Sequence, residues 1–302
     1  MTGATGFIGR NALVPLLRAG YEVHATFQRE SLAVPGIKWH ACDLLDQRSA
    51  TDLVRSLEPT HLLHLAWYAE HGKFWSSPLN VDWTAASLHL LRAFEEIGGT
   101  RVVMAGTCAE YDWEESLYVE NQTRLAPRSL YGVAKNSLRA IADCFCETRG
   151  ISFGWGRIFM VYGPFEDPNR FVPSIIRKFL LGEVAHCHAG ESRRDYLHSS
   201  DAANALVALL SSDVQGAVNI ASGEGVRIKD VAGALALLTQ SENLLEVSPS
   251  NYSQSNPAIL VADTRRLRDE VRWVPEILLD TGLREIVEWW RAHAQALSDP
   301  DS

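Results

Sequence analysis

Three glycines, a tyrosine–lysine pair and one threonine have the residue types and spacing in this chain that could do chemistry. Gly3, Gly6 and Gly9, in TGATGFIG, open a helical pattern. Glycine at the first two positions permits a tight turn and close approach of backbone to a diphosphate. The third permits close helix packing, and the helix N-terminus presents unpaired N–H donors. A glycine-rich turn holding no ligand fits the same residues. Tyr131 and Lys135, in YGVAK, are four apart and share one face of a helix. An ammonium beside a phenol favours phenolate, drawing a pKa of about 10 towards the range useful for proton transfer. A solvated helix face is the competing reading. Thr107 ends the run RVVMAGT, at the carboxyl end of a strand, where a doubly wound sheet places its active residues; a simple strand-end turn would look the same.

Elements of the right kind surround these residues. Residues 7 to 19 read as a helix, with Phe7, Ile8, Leu13, Leu16 and Leu17 at helical spacing and Gly20 ending it. YEVHATF and IKWHACDL alternate like strands, and THLLHLA is a short apolar run of the kind buried on both faces of a parallel sheet. Residues 82 to 97 read as helix, 101 to 107 as strand, Leu130 to Thr148 as a long helix, and ISFGWGRIF as strand. This alternation predicts an α/β fold, a doubly wound parallel (Rossmann) sheet, with residues 1–161 as the dinucleotide-binding domain. From Tyr162 the pattern loosens, with helices near FVPSIIRKFLLG and GLREIVEWWRAH. Residues 162–302 are predicted to form mainly a smaller substrate-binding lobe, with some segments returning to the first domain and the cleft between the two.

Composition excludes several classes of function. The 28 basic and 37 acidic residues give a net charge of −9, and no basic run could track a nucleic-acid backbone. No apolar stretch reaches the roughly 20 residues of a membrane helix, and the N-terminus lacks the regions of a signal peptide. A soluble cytoplasmic protein acting on a small molecule is expected. The five cysteines (Cys42, Cys108, Cys144, Cys146 and Cys187) are an odd number without paired spacing, so reduced thiols fit better than disulfides. The histidines lack metal-ligand spacing, and no metal site is expected.

Together the motifs resemble the extended short-chain dehydrogenase/reductase family, in its nucleotide-sugar epimerase, dehydratase and reductase branch. The resemblance runs over nearly the whole chain: TGATGFIG, CDLLD, HLAW, NVDWTAASLHLL, PRSLYGVAK, RIFMVYGP, RRDYLHSSDAANAL, VNIASGEGVRI and ADTRRLRDEVRWVP followed by GLREIVEWW. It implies that Tyr131 is the general acid/base and that Thr107 hydrogen-bonds the reacting oxygen. Lys135 would lower the tyrosine pKa and bind the nicotinamide ribose. It implies further that Gly3, Gly6, Phe7, Ile8 and Gly9 hold the cofactor diphosphate and that Asp43, beside Leu44, contacts the adenine. Leu65, Ala66, Trp67 and Ile158 would line the cofactor's path, with Asn80 supporting it. Arg194, in RRDY, falls where the family places a basic contact to the substrate diphosphate; a surface ion pair with Asp195 is the other reading. The resemblance also implies a homodimer built on the helix after Asn80 and the Tyr131 helix.

Several positions depart from the family pattern. ATFQRE offers no acid for a ribose 2′-hydroxyl before Glu30, whereas Arg29 suits a 2′-phosphate; NADP(H) is therefore favoured, with NAD(H) possible. Dehydratases of this branch follow their active threonine with Asp-Glu, and here Cys108 and Ala109 stand there. Water elimination is not expected, Glu110 reads as structural, and Cys108, near the substrate, as a buried inert thiol. Met160 replaces an asparagine that contacts substrate in relatives. The loop WYAEHGKFW adds His71, Lys73 and aromatics that could form a floor for a sugar or base.

The reading is an NADP(H)-dependent reductase of a nucleotide-linked keto-deoxysugar. A nucleotide-sugar epimerase with tightly held NAD(P), and a non-catalytic dinucleotide sensor, are the alternatives. One oddity concerns the start. In the family an apolar strand runs into the glycine turn, and here the turn begins at residue 2. We read this as a first strand missing from the given sequence, an internal valine codon having been taken as the start and written as Met1.

Overall fold

The computed structural model describes residues 1–248 and 257–293. Its centre is a row of parallel segments. Strands β1 (Val23–Phe27) and β2 (Ile37–Ala41) pair with each other, and β3 (His61–His64), β4 (Arg101–Thr107), β5 (Ser152–Ile158) and β9 (Gly216–Ile220) pair in that order. Met1 and Thr2 join the two groups. The Thr26 N–H donates to Met1 O (3.0 Å), and the Thr2 N–H donates to Leu63 O (3.0 Å). Counting Met1–Thr2 as the first segment, the order is 3-2-1-4-5-6-7, that of a doubly wound sheet. The ammonium of Met1 lies inside this arrangement, donating to His24 O, and burial pushes its pKa down to about 5.

Strand β4 shows why the sheet forms. Its run of Val102, Val103 and Met104 is wholly buried, which suits a strand covered on both faces. On one face, Leu13 and Leu16 of α1 (Gly9–Arg18) share a core with Leu206 and Leu210 of α6 (Ser199–Ser211). On the other, Leu90, Leu91 and Phe94 of α3 (Leu79–Glu96) meet Leu138 and Cys146 of α4 (Leu130–Arg149). Helix α2 (Gln47–Leu57) lies beside α3. Helix α4 is bounded by chemistry legible in its sequence: the Ser129 side chain accepts the Gly132 N–H (3.1 Å), and Gly150 ends it at φ 69°. Helix α3 begins three residues before the predicted 82, because Pro78 at its N-cap lacks the N–H a helix start would leave unpaired. Helix α1 starts at Gly9 rather than residue 7, because Phe7 and Ile8 belong to the glycine turn.

Beyond residue 160 a second core forms. Strands β6 (Met160–Tyr162), β10 (Gly225–Arg227) and β12 (Ile259–Leu260) pair with β8 (Arg193–His198), and β7 (Ala185–Cys187) pairs with β11 (Leu245–Val247). Helices α5 (Phe171–Leu180), α7 (Ile228–Thr239) and α8 (Leu279–Ala292) share a cluster that includes Ile176, Leu235, Leu283 and Trp290. Helix α6 and strand β9 return to the first core. Among the described residues no helix is long and apolar enough to cross a membrane, and no cluster of three His, Cys, Asp or Glu side chains could hold a metal ion.

Candidate active site

The glycine turn hangs at the carboxyl edge of the sheet. Gly3 sits at φ 68°, and a Cβ there would lie 2.6 Å from Ala66 N; a Cβ on Gly9 would lie 2.0 Å from Gly3 O. Any side chain at either place would force backbone apart. The turn closes through the Gly6 N–H on Gly3 O (3.1 Å) and rests on the segment after β3, where the Ala66 N–H donates to Thr2 Oγ1 (3.3 Å) beside Leu65. The N–H groups of Phe7, Ile8 and Gly9 have no acceptor among the described residues. Three consecutive free donors at a helix N-terminus fit a diphosphate. Arg29 is exposed past the end of β1. Asp43 is exposed past β2, its carboxylate accepting the Leu45 N–H (3.0 Å), with Leu44 buried beside it. Ile158 closes β5 in the core under α1. The sequence-predicted cofactor residues thus follow one edge of the sheet.

Thr107, at the end of β4, begins a single helical turn (Cys108–Glu110) and accepts the Ala109 N–H on its hydroxyl (3.2 Å). The Tyr131 phenol lies against it: burial pushes the Tyr131 pKa up, and its interaction with the Thr107 side chain pulls it partly back. Lys135 lies one turn further along α4. Its Nζ donates to Ala105 O (2.9 Å) and stands 3.8 Å from the centre of the Trp67 ring. Burial pushes the lysine down to about 7, against the pull of the Glu110 charge. The expected lowering of the tyrosine by the lysine therefore does not describe this geometry. The ammonium spends its contacts on the β4 carbonyl and the indole face, and burial dominates the phenol.

Asn80 is fully buried and ties this corner together. Its Oδ1 accepts the Trp67 indole N–H (2.9 Å), and its Nδ2 donates to Phe74 O (2.7 Å) and Ser77 O (2.9 Å). The loop so held packs Phe74 (4.9 Å) and Trp75 (5.8 Å) edge-on against the Tyr131 ring, while the Tyr131 N–H donates to Trp75 O (3.1 Å). Trp113 meets Trp75 at 6.3 Å. The rings of Phe74 and Trp75 are what the loop packs against Tyr131. His71 is exposed and has no hydrogen bond or ring contact with Thr107, Tyr131 or Lys135.

Beneath Thr107 lies a buried ion pair. Glu110 accepts the Thr107 N–H (2.8 Å), the Trp155 indole N–H (2.9 Å) and Arg157 Nε (2.7 Å). The structural reading of Glu110 holds, and its charge also reaches Lys135. Thr107-x-x-Glu110 is a capping box, a spacing visible in sequence, whereas its partners on β5 are not. The Cys108 thiol is pushed up to about 12, first by burial and then by Glu110. Arg194, on β8, is buried, acts electrostatically on Cys108, and donates to Arg193 O (2.9 Å). Asp195 turns the other way and accepts from Ser222, Gly223 and Ala262. The alternative of an Arg194–Asp195 surface pair is therefore not what forms.

Comparison with known proteins adds the lineage. A UDP-glucose 4-epimerase of Corynebacterium glutamicum is 27% identical, over 99% of this chain and 96% of its own. A GDP-6-deoxy-D-mannose reductase of Pseudomonas aeruginosa is also 27% identical, over 98% and 97%. The solved Thermus thermophilus UDP-glucose 4-epimerase in complex with NAD superposes with a TM-score of 0.83 at 25% identity, over 96% of this chain and 97% of that one. The model of the NAD dependent epimerase/dehydratase family matches residues 1–221. Its relatives are extended short-chain enzymes that act on nucleotide sugars as epimerases, dehydratases and reductases. With the glycine turn, the sheet order and the Thr107, Tyr131 and Lys135 corner in place, the chain belongs to the NAD dependent epimerase/dehydratase family.

Proposed function

We propose that the protein reduces the keto group of a nucleotide-linked keto-deoxysugar, using NADP(H). The carrying observation is the Thr107, Tyr131 and Lys135 corner, followed by a buried thiol and an alanine where elimination would need two carboxylates. The bound nicotinamide would supply a hydride to the carbonyl carbon. Tyr131, its pKa raised by burial, is protonated at neutral pH, as a proton donor to the nascent alkoxide must be. Its O–H bond breaks as the new alcohol O–H forms, and solvent returns the proton. The Thr107 hydroxyl donates to the same oxygen as charge develops. Lys135 lies on the same helix face, where its ammonium would bind the nicotinamide ribose. Arg194 would hold the substrate diphosphate, and Arg29, exposed at the end of β1, a cofactor 2′-phosphate.

The 27% identity to a GDP-6-deoxy-D-mannose reductase supports this reading. The equal identity to a UDP-glucose 4-epimerase favours a second one, in which the same corner acts and the cofactor is regenerated in each turnover. Incubating the protein with NADPH and candidate nucleotide keto-sugars separates them. Stoichiometric loss of the reduced cofactor's near-ultraviolet absorbance is the expected result; isomerisation of a sugar without that loss would replace reductase by epimerase. Tyr131→Phe should cost about 10²–10⁴-fold in rate, and no loss would remove the site from the chemistry. We also propose a homodimer through α3 and α4, supported by exposed Val81, Val133 and Ile141 on those helices. A monomer in sedimentation would refute it.

A further inference from the structure

Arg10 is a charged side chain of the glycine turn that the reaction above leaves unused. It follows Gly9 in the first turn of α1, and its Nη2 reaches back to Thr5 O (3.1 Å), so the guanidinium folds over the turn. One face lies 3.9 Å from the centre of the Phe165 ring. Nε is buried without a hydrogen-bond partner. Among the described residues no carboxylate pairs with Arg10, the first turn of α1 contains no acid, and Ile8 provides no side-chain cap.

This arrangement is electrostatically unfavourable as it stands. A partly desolvated cation sits at the positive end of a helix, beside the free N–H groups of Phe7, Ile8 and Gly9. Like partial charges gather where a carboxylate would ordinarily be found. An anion over the turn is attracted both to the guanidinium and to the N–H groups, and these attractions offset the repulsion between them. Phe165 strengthens the point from the opposite lobe. It is a non-glycine residue held at φ 67°, a conformation that L side chains seldom adopt. The turn closed by the Glu166 N–H on Gly163 O (3.3 Å), with Pro164 before Phe165, sets that conformation, and it presents the half-exposed ring to Arg10 and to Trp289 of α8, 5.1 Å away.

We propose that Arg10 is a ligand of the cofactor's diphosphate, donating an N–H to a non-bridging phosphate oxygen, while Phe165 holds the guanidinium plane in place. The proposal rests on the dinucleotide reading above and adds a side-chain cation to a turn otherwise served by backbone donors. Its ligand class is any dinucleotide diphosphate, with or without a 2′-phosphate. It also makes the second lobe, through Phe165, a part of cofactor binding.

The test is Arg10→Met in the full chain, titrated with NAD, NADP and ADP-ribose by calorimetry and with adenosine by ligand-observed NMR, at low and high salt. The expected result is binding weaker by on the order of 10- to 100-fold for all three diphosphates, a flatter salt dependence, and unchanged adenosine binding. Arg10→Lys, which keeps the charge and loses the planar fork, should fall between. Equal weakening for adenosine would mean that Arg10 only props the turn, and loss confined to NADP would mean that it reads the 2′-phosphate. Either result overturns the proposal, as does unchanged diphosphate binding. A wild-type protein that binds no dinucleotide would instead overturn the cofactor reading itself.

Discussion

Replacing Glu110 by glutamine keeps the shape of the side chain and removes its charge. The carboxylate is fully buried and faces Arg157, itself only 2% exposed, at 2.7 Å. Breaking a buried pair from one side costs about 3–5 kcal/mol, because the other charge is left uncompensated. Each kcal/mol lowers the Tm of a domain approaching this size by about 2–4 °C, so scanning calorimetry of Glu110→Gln should show a fall of about 6–20 °C. A second readout follows from Lys135, which burial holds at about 7 and which Glu110 pulls upward. Removing that charge lowers the lysine further. A lysine is an ammonium below its pKa, so activity that needs the ammonium is lost as pH rises through that value. The descending limb of kcat/KM against pH should therefore move to lower pH in the variant. Adding Arg157→Met removes the orphaned guanidinium and should recover much of the Tm while leaving the pH limb displaced. An unchanged Tm in Glu110→Gln, or a limb displaced to higher pH, would refute the reasoning.

Gly9→Ala would place a methyl 2.0 Å from Gly3 O; no side chain can yield there, so dinucleotide binding should be abolished in a titration, and retained affinity would show that the turn can open. Asn80→Ala removes the three hydrogen bonds of a buried side chain, worth about 2–4 kcal/mol together. Urea unfolding should report that loss and limited proteolysis should cut near residues 74–77, whereas a loop as resistant as wild type would mean that the aromatic packing on Tyr131 suffices. Among the five thiols Cys144 is exposed and the others are buried. A thiol reagent at mild alkaline pH should modify Cys144 quickly and Cys108 only after unfolding; fast labelling of Cys108 would contradict its burial.

Much of this protein was determined locally. The glycine turn, the capped helix around Tyr131 and the continuous apolar run of β4 each follow from neighbouring residues, because turn geometry, helix spacing and burial on both faces leave marks within a few positions. The doubly wound class follows from the order of those elements, and the placement of Thr107, Tyr131 and Lys135 at one corner follows from that class. Tertiary structure decided what each of these groups experiences. Tyr131 rises because rings from residues 74 and 75 help to bury it; Lys135 falls because burial desolvates its ammonium, even though the Ala105 carbonyl and the Trp67 ring, brought from two other strand ends, favour the charge. The aromatics of the loop WYAEHGKFW are visible in sequence, but only the anchoring by Asn80 brings Phe74 and Trp75 against Tyr131. Glu110 announced its cap through its spacing from Thr107, yet its partners Trp155 and Arg157 arrive from the adjacent strand. Desolvation and charge act through space, so they depend on which distant segments pack together, and spacing along the chain cannot encode them.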